Sequence, residues 1–166
     1  MFFTKIKNFF IILSNASFCF KNPDRKDIVI FDNETINLLL PLCKNFNYFV
    51  LKNRYYQIDK IFITFEIILY IIKNLFKSNL STIYFSALIQ QVKPKLVITI
   101  IDNSLYFSNV AKILNNEFKF LAIQGAARYD IKQLSKKFFI PEFLCFGEYE
   151  KDLYNEYKSE VKKFKF

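Results

Sequence analysis

Apolar residues in this chain follow two rhythms. Five short runs are almost continuously apolar: Asp27 to Asp32 (DIVIFD), Tyr48 to Leu51 (YFVL), Val97 to Ile101, Phe118 to Ile123 and Phe143 to Phe146 (FLCF). Runs of this length, rich in β-branched and aromatic residues and closed by polar ones, suit strands buried on both faces of a parallel sheet. Between them the apolar positions recur with a helical period. Ser104 to about Asn115 gathers Leu105, Val110, Ala111 and Leu114 on one side, and the turn Asp32-Asn33-Glu34 opens a helix whose buried side is Leu38, Leu39, Leu42 and Cys43. Pro41 inside that helix is expected to kink or shorten it. Residues 58–78 are the most apolar segment, with Glu66, Tyr70, Lys73 and Lys77 as their polar or semi-polar positions. That spacing marks one face, so the segment predicts a helix buried nearly all round with one narrow wet seam, Ile61 to Ile63 being an alternative short strand. Its uninterrupted apolar stretch falls short of the ~20 residues a membrane span needs. Ser81 to Val92 predicts a second helix with a similar seam at Thr82, Ser86, Gln90 and Lys93, and Glu148 to about Lys163 a charged final helix.

Strands alternating with helices predict an α/β fold: a doubly wound, mostly parallel sheet of about five strands with helices on both faces. The stretch from Lys93 to Asp130 is its centre, a βαβ unit with a right-handed crossover. Residues 25–166 form the one lobe. Residues 1–24 precede it, with Lys5 and Lys7 ahead of an apolar patch from Phe9 to Leu13. Ser14 and Asn15 interrupt that patch and no clear cleavage site follows, so an amphipathic helix packed on the domain is expected over a signal peptide, with a membrane surface as the alternative resting place.

Composition narrows the chemistry. At 166 residues and 52% hydrophobic, the chain can bury a full core. A net charge of +9 favours anionic partners such as phosphates, acidic lipid headgroups or nucleic acid, but the lysines are scattered and nothing matches a compact nucleic-acid signature. Nucleic acid is therefore the least favoured partner. The absence of histidine removes Ser-His-Asp and Cys-His catalysis and a histidine base. Cys19, Cys43 and Cys145 lie far apart and form no C-x-x-C pair, so no metal site is implied, and an odd count suggests reduced thiols in a cytoplasmic protein.

Candidate binding residues sit beyond the strand ends, where open parallel sheets take their ligands. Asp102 and Asn103 follow the third strand, as ligand contacts or, with Ser104, as helix caps. Gln124, Gly125 and Arg128 follow the fourth: the glycine allows close backbone approach, and the guanidinium can bind phosphate or carboxylate. Asp32 occupies the analogous place after the first strand and is a secondary candidate. The Q-G-A-A-R turn is neither a dinucleotide fingerprint nor a phosphate loop, so no cofactor is implied.

Lys93-Pro94-Lys95-Leu96-Val97-Ile98-Thr99 leading to Asp102-Asn103, followed by Phe120-Leu121-Ala122-Ile123-Gln124-Gly125 and Arg128, resembles the N-terminal half of bacterial surface-carbohydrate (polysaccharide) biosynthesis proteins of GT-B glycosyltransferase-like, Rossmann-like architecture. The opening KDIVIFD and the closing FLCFGEYEKDLY are also similar, and the resemblance covers roughly residues 25 to 157. The family usually has Asn-Gly or His-Gly after this glutamine, whereas Gly125 follows directly here. The resemblance implies an acceptor-side lobe, with Asp102 and Asn103 at acceptor hydroxyls and Gln124, Gly125 and Arg128 at an interlobe cleft. It implies action at the cytoplasmic face of the membrane. A nucleotide-activated sugar or glycerol donor would be held by a second lobe, expected to be absent from this chain and supplied by a partner subunit or lost by truncation. The alternative is a non-catalytic binding or scaffold domain of the same fold for a phosphorylated ligand or partner.

Overall fold

In a computed structural model, the described residues are 11–12, 14–34, 36–127, 137–156 and 158–166. Six parallel strands form the main sheet: β2 (Ile28–Phe31), β3 (Tyr48–Leu51), β5 (Leu96–Thr99), β6 (Lys119–Ile123), β7 (Phe139–Leu144) and β8 (Glu160–Lys165), in spatial order β3-β2-β5-β6-β7-β8. A small parallel pair, β1 (Ser17–Cys19) with β4 (Lys60–Phe62), is a second sheet. Five helices accompany them: α1 (Ile36–Cys43), α2 (Phe65–Asn74), α3 (Leu80–Val92), α4 (Leu105–Leu114) and α5 (Glu148–Glu156). The fold is α/β and Rossmann-like.

Strand composition explains the sheet. Every residue of β2 is buried, as a run of Ile, Val and Phe between polar turns demands. Its side chains alternate between two cores. Val29 and Phe31 join Val97, Phe107, Phe120 and the buried side of α3 in the larger cluster. Ile28 and Ile30 join Ile98, Ile100 and, from α1, Leu39 and Cys43 in the smaller one. From β2 the chain first steps to β3 and later builds outward on the opposite side through β5. Right-handed crossovers running in opposite directions put their helices on opposite faces, which is why α1 lies on one face and α3 and α4 on the other. The reversal between β2 and β5 is a topological switch point, and such points gather ligands at the strand carboxyl ends.

Several expectations need correction. The sheet has six strands, not five, because the final charged helix stops at Glu156 and the chain turns at Lys158 with a positive φ of 53° before entering β8. Its sequence EVKKFK, four charges to two apolar residues, disguises β8, a lysine-rich edge of the kind that discourages further pairing. The fifth expected strand, Phe143 to Phe146, begins earlier, at Phe139, and runs through Pro141. That proline has no N–H for the ladder, and the pairing of β7 with β8 passes over it. On α1 only Leu39 and Cys43 are buried, while Leu38 and Leu42 face solvent. Helix α2 is not buried nearly all round: Ile67 is its one fully buried residue, Leu69, Tyr70 and Ile71 are half-buried, and Phe65, Ile68 and Ile72 are exposed. The expected wet seam of α3 is dry at Thr82 and Ser86, the latter closing its hydroxyl onto the Thr82 carbonyl at 2.8 Å. Residues 60–62 form the short strand, and no described helix is long and apolar enough to cross a membrane. Of the expected amphipathic segment, residues 1–24, residues 1–10 and 13 lie outside the described residues; Ile11, Ile12, Ser14 and Asn15 are helical, and β1 follows at Ser17–Cys19.

Candidate functional site

The carboxyl ends of β2, β5 and β6 lie side by side, and three acidic or amide residues follow them: Asp32, Asp102 and Gln124. All three are buried. Their surroundings differ.

Gln124 is bonded inside the fold. Its Nε2 donates to the Ala126 carbonyl at 2.9 Å and to Glu150 Oε1 at 3.1 Å, while its Oε1 accepts from the Phe146 N–H at 3.0 Å. The side chain thus ties the end of β6 to the end of β7 and to the first turn of α5. Gly125 is needed for a neighbouring reason. A Cβ there would stand 2.7 Å from the Ile100 carbonyl oxygen and 2.9 Å from the Ile100 side chain. Its φ is not positive, so close backbone packing, rather than a left-handed turn, excludes larger residues. The close approach expected for a ligand is taken up by β5. Arg128 lies outside the described residues.

Asp102 sits one residue beyond the bridge between Ile101 and Gln124. It does not cap the following helix; Ser104 does, accepting from the Phe107 N–H at 3.3 Å. Asp102 Oδ2 instead accepts from the Tyr154 hydroxyl at 2.7 Å. Tyr154 is fully buried and its ring stacks on Phe143 with centroids 4.8 Å apart. Asn103 is exposed beside them. The role of Tyr154, a hydroxyl reaching a carboxylate 52 positions away, has no local sequence signal.

Asp32 is the strained one. Its φ is 90°, a region costly for any residue but glycine, and tolerated best by Asn and Asp. Its N–H is held by the Leu51 carbonyl at 3.0 Å, its Oδ1 accepts from the Glu34 N–H at 3.0 Å, and its Oδ2 meets Arg54 Nε at 3.3 Å. Arg54 also reaches Glu34 through Nη2 at 2.7 Å, and the Tyr56 hydroxyl donates to the same carboxylate at 2.8 Å. Burial alone would lower the Arg54 pKa, but the charges of Asp32 and Glu34 outweigh it and raise the group above its ordinary value. Tyr56 is raised by its bond to Glu34. Arg54 belongs to the loop after β3, residues 52–59, which also carries two shielded acceptors: Asn53 Oδ1 and Gln57 Oε1 have no hydrogen-bond donor among the described residues. Buried acceptors without donors are rare and need a cause.

The same loop borders a cavity of about 670 Å³ between the β3 edge, β4, α2 and α3. Phe49, Ile61, Phe62, Ile67 and Leu88 line its apolar interior, and Lys52, Asp59 and Lys60 lie among the polar lining residues. Lys52 and Asp59 pair at 2.7 Å. The Asp59 carboxyl stays below its usual value although burial opposes this, because Lys52 bonds it. Nothing in the local sequence marks Asn53, Arg54 or Gln57 as part of a site. Their place became legible only when β3 paired beside β2.

Among the described residues no group of three or more His, Cys, Asp or Glu is arranged to hold a metal ion. Cys43 and Cys145 are buried thiols whose pKa values burial pushes up, which makes them poor nucleophiles. No protein-family model, no curated protein and no solved structure matches this chain.

Proposed function

We propose that this chain is the acceptor-side lobe of a glycosyltransferase-like protein of cell-surface polysaccharide biosynthesis, completed by a donor-binding lobe. The observation that carries the reading is the Asp32–Glu34–Arg54 group at the switch point, where the Glu34 carboxylate stays exposed. Carboxylates gathered at a strand edge are acceptors for hydroxyl donors, and a polyol such as a sugar supplies several at once. Arg54 is already balanced by two carboxylates, which disfavours phosphate as its main ligand and favours an uncharged, hydroxyl-rich one. In this reading the chain binds and orients the acceptor, and the nucleotide-activated sugar or glycerol is held by the other lobe.

The test is calorimetric titration of the chain with neutral oligosaccharides, phosphorylated sugars and sugar nucleotides. Neutral saccharides should bind best, and Asp32→Asn or Glu34→Gln should weaken binding about tenfold, the value of one charged hydrogen bond. The chain alone should turn over no sugar nucleotide. Turnover by the isolated chain, or preference for the sugar nucleotide, overturns the acceptor-side assignment.

A second reading, a non-catalytic binding or scaffold domain for a phosphorylated ligand or partner subunit, draws support from Gln124 and Gly125. Both were expected at an interlobe cleft, and both are occupied by internal packing. It predicts that phosphorylated sugars bind more tightly than neutral ones.

A further inference from the structure

Helix α2 is apolar on both faces: Ile67, Tyr70 and Ile71 meet the core, and the outer face is apolar as well. A helix on a domain surface normally turns its apolar stripe inward. Here Ile67 alone is fully buried, and the opposite arc carries Phe65, Ile68, Ile72, Leu75 and Phe76 into solvent. Exposure reaches 72% at Phe65, 62% at Ile72 and 100% at Phe76. At 100° per residue Phe65, Ile68 and Ile72 fall within roughly a third of the helix circumference, and Leu75 and Phe76 follow in the turn beyond Asn74. The strap before α2 adds to them. The Ile63 N–H bonds the Cys19 carbonyl and Thr64 bonds Asn22, which brings Phe20, itself 76% exposed, to the start of the helix.

Charge flanks this ridge on one side. Lys73 and Lys77 follow each other at helical spacing beside the apolar arc, exposed and without ion pairs among the described residues. Glu66 is the one acidic residue on that flank, at the helix start near Asn22. The whole chain carries +9. An aromatic and aliphatic ridge bordered by lysines is complementary to a bilayer, with acyl chains for the ridge and anionic headgroups for the lysines.

We propose that the α2 ridge is a membrane-docking face, on which this protein lies against a bilayer bearing anionic lipids. Phe65, Ile72 and Phe76 insert below the headgroups, and Lys73 and Lys77 sit among the phosphates. The proposal is independent of what the strand edge binds.

Co-sedimentation of the full chain with vesicles of phosphatidylcholine and phosphatidylglycerol tests it, with pure phosphatidylcholine vesicles as reference. The chain should pellet with the mixed vesicles and weakly with the neutral ones. Ile72→Ser with Phe76→Ser should lower the partition coefficient about tenfold or more, since two large apolar side chains leave the interface. Lys73→Gln with Lys77→Gln should lower it about fivefold per lysine on anionic vesicles and leave neutral vesicles unaffected. Each position is exposed, so the variants should keep the wild-type circular dichroism; Phe65→Ser is the independent check. Unchanged partitioning of the serine variants, or equal partitioning into neutral vesicles, overturns the proposal. So does a dimer in light scattering that the serine variants dissolve while the wild type ignores vesicles, since the ridge would then meet a second copy of the chain.

Discussion

The turn after β2 and the turn after β6 occupy equivalent places in the sheet, yet they are built for different ends. At the β6 turn the Gln124 side chain makes three hydrogen bonds, and Gly125 lets Ile100 close over it. At the β2 turn Asp32 sits at φ 90°, holds Arg54 at a long 3.3 Å, and neighbours a loop with two undonated oxygens. A polar residue beyond a parallel strand is therefore not a binding residue by position alone. What distinguishes a site is strain kept and bonds left unclosed, because a fold that needed only stability would relax both.

The sharpest test of that contrast is Gln124→Leu. It leaves the Phe146 N–H and the buried Glu150 carboxylate without their partner, and should cost about 3 kcal/mol, read from urea unfolding at constant m-value. Gly125→Ala should follow at about 2 kcal/mol, because the 2.7 Å approach of the Ile100 carbonyl oxygen is backbone and yields little. Tyr154→Phe, which removes the 2.7 Å bond to Asp102, should cost about 1.5 kcal/mol. Asp32→Asn belongs to the other turn and should change stability by less than about 1 kcal/mol, since Asn tolerates the same backbone and keeps an acceptor for Glu34. On the proposed function it should nonetheless weaken saccharide binding about tenfold. If it destabilises the fold as much as Gln124→Leu does, the two turns are alike and the distinction fails.

The smallest expected effect is on the acid side of the stability profile. Asp27 is held below its ordinary pKa by its hydrogen bond and charge pairing with Lys95, at 2.8 Å, and Glu142 by its bond to Lys165. A carboxylate whose folded pKa is depressed contributes stability that is present above its unfolded value, about 4, and is lost as pH falls through the folded value. Urea midpoints should therefore be flat from neutral pH to about 5 and decline below about 4. Lys95→Met should remove part of that decline, and an identical acid profile in the variant would show that the Asp27 pair contributes nothing.

The α/β class, the central βαβ unit and most element positions were legible because each rests on local patterning. Ile28–Phe31, Leu96–Thr99 and Lys119–Ile123 are short apolar runs between polar stops, and Leu105–Leu114 has a helical period behind the Ser104 cap. Asp32 and Asp102 were legible as strand-end carboxylates for the same reason. Other features were not. Glu160–Lys165 continues the charged run of the last helix and becomes a strand because β7 offers a free edge and Lys158 turns the chain in a left-handed conformation. Phe65–Asn74 has the apolar content of a buried helix, but only the side bearing Ile67 found a partner. Gln124 and Gly125 looked like a binding turn because their bonding partners, Phe146, Glu150 and Ile100, are remote in sequence.

By itself the sequence determined the periods, the stops and the residue types available for chemistry, since these depend on a few neighbouring positions. Tertiary structure alone decided which polar groups are satisfied and which remain open. Arg54 became part of the Asp32 turn only because β3 pairs beside β2, a long-range pairing in which the strands close the backbone hydrogen bonds and leave their side chains to find partners across the sheet edge.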